Sequence, residues 1–177
     1  MNKEFAVNGS AYIAEQIEEA IQNETRNAVI CGNYIIDEPI RIPSNFTLIL
    51  EDCHLRLADG CYSNIFVNEN HDTELGKTID GTDTNISIIG RGTAILDGGE
   101  YNGLSERNHM QNGLPPIWKN NLILFTNVNG FTIKGISCRN QRHWALNFGQ
   151  GRKQRNIPAR PRTHTQHYRQ QRDKPRG

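Results

Sequence analysis

At 177 residues, 36% hydrophobic and a formal charge of +1, the chain is long enough for one core and too short for two sizeable domains. The average charge conceals a division: residues 1–150 hold 11 Lys+Arg against 18 Asp+Glu, whereas residues 151–177 hold 9 against the single Asp173. No run approaches the roughly 20 apolar residues needed to cross a bilayer and MNKEFAVNGS lacks the apolar stretch of a secretory signal, so the expectation is a cytoplasmic protein without a membrane span.

From the N-terminus, Ser10 can cap a helix, and Ile13, Ile17, Ala20 and Ile21 recur at helical spacing through SAYIAEQIEEAIQN. The spacing predicts a short amphipathic helix over 10–23. Beyond it the period changes to short β-branched runs bounded by Asn, Gly, Asp or Pro, with no crossover helix between them. Three of these runs resemble one another: SNFTLIL, TNISIIG and NGFTIKG. Phe46 and Ile86 are 40 residues apart and Ile86 and Phe131 are 45 apart, about two coils of a solenoid plus loops. The expected fold is therefore all-β, a right-handed parallel β-helix of a few coils whose first coil is covered by the helix. An antiparallel sandwich is the competitor, but two-residue Asn-Gly or Asp-Gly hairpin turns are scarce.

Two long insertions, Asn68 to Asn85 and Gly98 to Asn121, are where binding would sit on such a scaffold. In the first, Asp72, Glu74, Asp80 and Asp83, with His71 beside them, could offer oxygens to calcium, but they lack the order and the Gly of an EF-hand loop and read as a solvated acidic loop. Cys31, Cys53, Cys61 and Cys138 show no CxxC pair and no Cys/His ligand spacing, so they read as buried free thiols and no metal is assigned. Glu51 and Asp52 are neighbours, but successive strand residues point to opposite faces, which prevents a carboxylate dyad.

Arg139-Asn140-Gln141-Arg142-His143-Trp144 sets an aromatic face beside cationic donors, a pairing that can hold an acidic sugar with Arg gripping its carboxylate at two points. Arg139, Arg142, His143 and Trp144 are the candidate substrate-binding residues. A plainer reading packs Trp144 into a further strand. From Gly151 onward only Ile157, Ala159 and Tyr168 are apolar, too few to offset roughly 1–2 kcal/mol of backbone entropy per residue. The organisation expected is thus an N-terminal part of one domain over 1–148 and a basic, disordered tail over 149–177, whose abrupt onset suggests a shifted reading frame or an aberrant end. The rival reading makes the tail an arm that binds nucleic acid or another polyanion.

At NISIIGRGTAILDGG and NNLILFTNVNGFTIKGISCRNQRHWALNF the chain resembles the N-terminal half of bacterial glycoside hydrolase family 28 proteins, the polygalacturonase-like members of the pectin-lyase-like group. The residues that carry the resemblance are Ile89-Gly90-Arg91-Gly92, Leu96-Asp97-Gly98 and the Asn140 to Trp144 segment, and it covers roughly Ala11 to Phe148. It implies a glycosidase that acts on an acidic, pectin-type polysaccharide or oligosaccharide, without a cofactor, by inversion between two carboxyl groups roughly 6.5–9.5 Å apart. The family's Asn-x-Asp, Asp-Asp, Gly-His-Gly and Arg-x-Lys motifs lie downstream of the matched segment, so no catalytic residue is assigned and this chain alone is expected to be inactive. Asn70-His71-Asp72 and Arg172-Asp173-Lys174 match two of those patterns only out of register. A glycan-binding protein that does not cleave is the alternative.

Overall fold

The computed structural model describes residues 4–61, 63–99, 121–141 and 144–149. Helix α1 spans Gly9–Gln22 and buries Ile13, Ile17 and Ala20, one stripe of a 3.6-residue period, against strands β1 (Asn27–Ile36) and β2 (Ile40–Ile42). Ser10 does not cap it. The residue lies inside the first turn, where its hydroxyl donates to the Glu38 carbonyl at 3.0 Å and accepts from the N–H groups of Asp37 and Glu38. The expected cap is instead a tie between the helix and the turn after β1. No described helix is long and apolar enough to cross a membrane.

Eight further strands follow: β3 (Thr47–Leu57), β4 (Phe66–Asn68), β5 (Asp83–Arg91), β6 (Ile95–Asp97), β7 (Ile123–Thr126), β8 (Val128–Lys134), β9 (Ser137–Arg139) and β10 (Leu146–Gly149). Every strand pairing among the described residues is parallel, which removes the antiparallel sandwich. One sheet has six strands, ordered β8-β5-β3-β6-β9 with β1 also on β3, and the other has four, ordered β10-β7-β4-β2. The three similar sequence runs lie side by side in register, Thr47 opposite Ser87 and Ser87 opposite Thr132. Just before each strand enters the core the chain takes a left-handed residue: Asn45 (φ 58°), Asn85 (φ 53°) and Gly130 (φ 82°). Asn and Gly are the residues that adopt this conformation at little cost. The Asn85 Nδ2 group donates to Asn45 Oδ1 at 3.0 Å, stacking the two turns.

The expected all-β, right-handed parallel β-helix is corrected by this arrangement. The described residues form a mixed α/β assembly, one helix and two parallel sheets that curl as a half-barrel, and not a closed solenoid. Sequence repeats dictate which strands are neighbours. How far two sheets wrap round one another depends on packing between them, and here α1 adds Ile13, Ile17 and Ala20 to the same core as Ile30, Leu48, Leu50, Phe66, Ile86 and Phe125. Each fully buried Ile, Leu or Phe among them is worth about 1.5–3 kcal/mol relative to exposure. At one side Gly90 and Gly135 approach so closely that a Cβ on either would collide with the carbonyl of the other. The cysteines are free; Cys53 is buried as expected, its thiol pushed up to about 12 by that burial and then by Cys31, but Cys31 itself is exposed.

Candidate functional site

Of the four residues proposed from the sequence to hold a ligand, Arg142 and His143 lie outside the described residues. Trp144 is exposed, with its backbone N–H donating to Asn121 Oδ1 at 3.3 Å. Arg139, at the end of β9, is half-exposed but already engaged. The parallel register sets it beside Asp97 of β6, which in turn faces β3, and its Nε donates to Asp97 Oδ2 at 2.7 Å. Asp97 also accepts from Asn140 Nδ2 at 2.8 Å and from the Gly99 N–H at 2.9 Å, and the buried His54 ring of β3 lies 3.2 Å from the same carboxylate. Burial acts most strongly on Asp97 and pushes its carboxyl up, but the hydrogen bonds from Asn140, Gly99 and Arg139 and the Arg139 charge together hold it below its ordinary value. The Leu96-Asp97-Gly98 motif therefore ends in a clamp that ties three strands together.

A second carboxylate, Asp83 at the start of β5, is buried and accepts four hydrogen bonds: from Ser44 Oγ, Asn68 Nδ2, and both the backbone N–H and Nδ2 of Asn70. All four donors are neutral. It pins both ends of the first insertion, so the reading of this stretch as a wholly solvated acidic loop fails at Asp83, while Asp72, Glu74 and Asp80 are exposed. No group of three or more His, Cys, Asp or Glu among the described residues is placed to hold a metal ion. Asp52 follows Glu51 at a left-handed φ of 45° and accepts from the Thr93 N–H at 2.9 Å, a turn contact.

The insertion pinned by Asp83 folds back over the second sheet and encloses space. A cavity of about 410 Å³ is lined by Arg41, Ser63, Val67, His71, Leu124 and Asn147, among others. A neighbouring one of about 460 Å³ includes Asn70, Lys77 and Ile79, and both share Asp72, Thr126 and Gly149. Arg41 of β2 is oriented by its Nη1, which donates to the Glu69 and His71 carbonyls at 2.8 and 3.0 Å. His71 is buried, its Nδ1 lying 3.0 Å from Thr126 Oγ1 and its Nε2 3.0 Å from Asp72 Oδ2. Asp72 itself adopts a left-handed φ of 60°.

No family model, no curated protein and no solved structure matches this chain. The sequence drew attention to Arg139 and Trp144, and the fold draws it to His71, Asp72 and Thr126. The last of these is 54 residues beyond Asp72, and only the pairing of β4 with β7, Phe66 opposite Ile123, brings the two segments together. The one signal available in advance was that an insertion leaving β4 at Asn68 must pass the end of whichever strand pairs with β4.

Proposed function

We propose that the protein binds an acidic oligosaccharide in the cavity over the second sheet. The observation that carries this reading is the lining: Arg41, locked in place by two carbonyls, stands beside His71, Ser63 and Asn147 for polar contacts, with Val67 and Leu124 for sugar faces. The resemblance to polygalacturonase-like proteins supports the same ligand class. Hydrolysis by inversion needs two opposed carboxyl groups, and Asp72 is the one carboxylate among the described lining residues. The reading is therefore retention of the glycan without cleavage of its glycosidic bonds by these residues. A cytoplasmic place of action, expected from the sequence, fits an oligosaccharide better than a polymer.

The test is calorimetric titration with galacturonide oligomers and with neutral oligomers of equal length, alongside an assay for new reducing ends. Binding of the acidic series alone, weakened in Ser63→Ala and Asn147→Ala and without new reducing ends, is the expected result. Equal binding of the neutral series, or none, overturns it. The basic segment 151–177 supports a second reading, a polyanion-binding arm, because nine of its residues are Lys or Arg. Removing it abolishes binding in that case and leaves cavity binding intact in the first.

A further inference from the structure

We propose that Thr126, His71 and Asp72 form a nucleophile, base and orienting group that hydrolyse carboxylic esters, with Thr126 Oγ1 as the acyl acceptor. The two contacts described above have the arrangement such relays require: a hydroxyl 3.0 Å from one imidazole nitrogen and a carboxylate 3.0 Å from the other. Hydrogen-bond inventory then sets the tautomer. A carboxylate only accepts, so His71 Nε2 carries the hydrogen facing Asp72; the neutral ring leaves a lone pair on Nδ1, and the Thr126 hydroxyl donates to it. That is the tautomer a general base needs.

Placement argues for chemistry as well. Thr126 lines both cavities, of about 410 and 460 Å³, which leaves room near it for the acyl and alcohol parts of an ester. Arg41 lines the first cavity and brings a positive charge to it, the charge that favours an oxyanion. His71 is buried while Asp72 is mostly exposed, so the base is shielded and its orienting partner lies at the rim.

The reaction balances without a further reagent. Thr126 Oγ1 attacks the ester carbonyl as its proton passes to His71 Nδ1, and the C–O bond to the alcohol breaks as that proton reaches the departing oxygen. Water then attacks the acyl-threonine, giving its proton to Nδ1, and the Thr126 oxygen leaves and recovers it. The sum is ester plus water to acid plus alcohol.

The experiment uses the full chain and p-nitrophenyl acetate, so its outcome does not depend on whether a glycan binds. Mass spectrometry of protein quenched during turnover should show one acetyl group on the peptide containing Thr126. Thr126→Val, which keeps the β-branched shape and removes only the hydroxyl, should lose at least about 100-fold in rate and all of the adduct. Thr126→Ser should retain both. His71→Gln, which removes the base and leaves Thr126 in place, should lose rate to an extent similar to Thr126→Val. Acetyl groups found only elsewhere, no adduct in the wild type, or a Thr126→Val rate equal to the wild type overturns the proposal; the wild-type adduct on Thr126 decides it even if a variant fails to fold.

Discussion

Two histidines, each beside a carboxylate, sit in opposite kinds of surroundings. His54 is packed under the edge of Phe5, whose ring centroid is 4.8 Å away, and its Nε2 faces both Asp97 Oδ2 at 3.2 Å and Arg139 Nη2 at 3.1 Å. Arginine only donates and a carboxylate only accepts, so one nitrogen cannot satisfy both at once. His71 divides the same two tasks between its two nitrogens, one toward Asp72 and one toward Thr126, without conflict. The difference separates cement from machinery. In the first cluster the histidine is a filler between partners that satisfy each other, and the Asp97 to Arg139 bond carries the geometry. In the second the histidine is the hub, and its hydroxyl partner opens onto space a ligand can enter.

The largest effect that would sharpen this contrast is on stability at Asp97. Asp97→Ala strips the acceptor from Asn140, the Gly99 N–H and Arg139 within a buried site, and should cost about 3–5 kcal/mol in urea unfolding, less whatever the half-exposed Arg139 recovers from water. A loss below about 1 kcal/mol would mean that the clamp is ornamental. Acid comes next. Because the Asp97 carboxyl is held below its ordinary value of 3.8 in the fold, the unfolded chain takes up its proton first as pH falls. Its contribution is complete above that ordinary value and disappears as pH drops through the depressed native one, so the acid limb of a stability profile should be steeper in the wild type than in Asp97→Asn. Parallel limbs would assign the acid sensitivity to other carboxylates. The smallest effect belongs to the second histidine: Thr126→Val should change unfolding free energy by about 1 kcal/mol or less, the net value of one hydrogen bond, while removing the acyl adduct. A large destabilisation there would erase the distinction and make the His71 cluster cement as well.

The parts of this architecture that were legible in the sequence are those written in local chemistry. The apolar stripe of α1 is visible as Ile13, Ile17 and Ala20, and the likeness of SNFTLIL, TNISIIG and NGFTIKG foretells three strands that stack in register. What lies between sheets was not legible: a strand repeat says nothing about curvature or closure, and the expected solenoid gave way to a helix and two sheets. Ser10 read as a cap because its type suits that place, yet its hydroxyl serves the Asp37 and Glu38 turn 27 residues away. Asn70-His71-Asp72 was legible as a glycosidase pattern out of register, and His71 and Asp72 as part of a solvated acidic loop. Its neighbours make it a site: Asn70 closes on Asp83, and His71 closes on Thr126, a residue that no spacing rule connects to it.

The left-handed Asn45, Asn85 and Gly130 have a consequence for how this scaffold can change over generations. Asn45 turns the chain just ahead of β3, and Asn85 and Gly130 turn it early within β5 and β8, so alignment is established at the doorway and not by the length of what precedes it. The spacings of 40 and 45 residues between equivalent strands differ, yet Ile86 still meets Phe131. Insertions and deletions between the rungs are thus insulated from the core, and the surface loops are free to lengthen, shorten or be replaced while the ladder beneath keeps count. At the third doorway glycine stands in for asparagine, and a Cβ there would lie 3.0 Å from Asn85 Oδ1; the column of amides stops at that rung, while the alignment it established carries on.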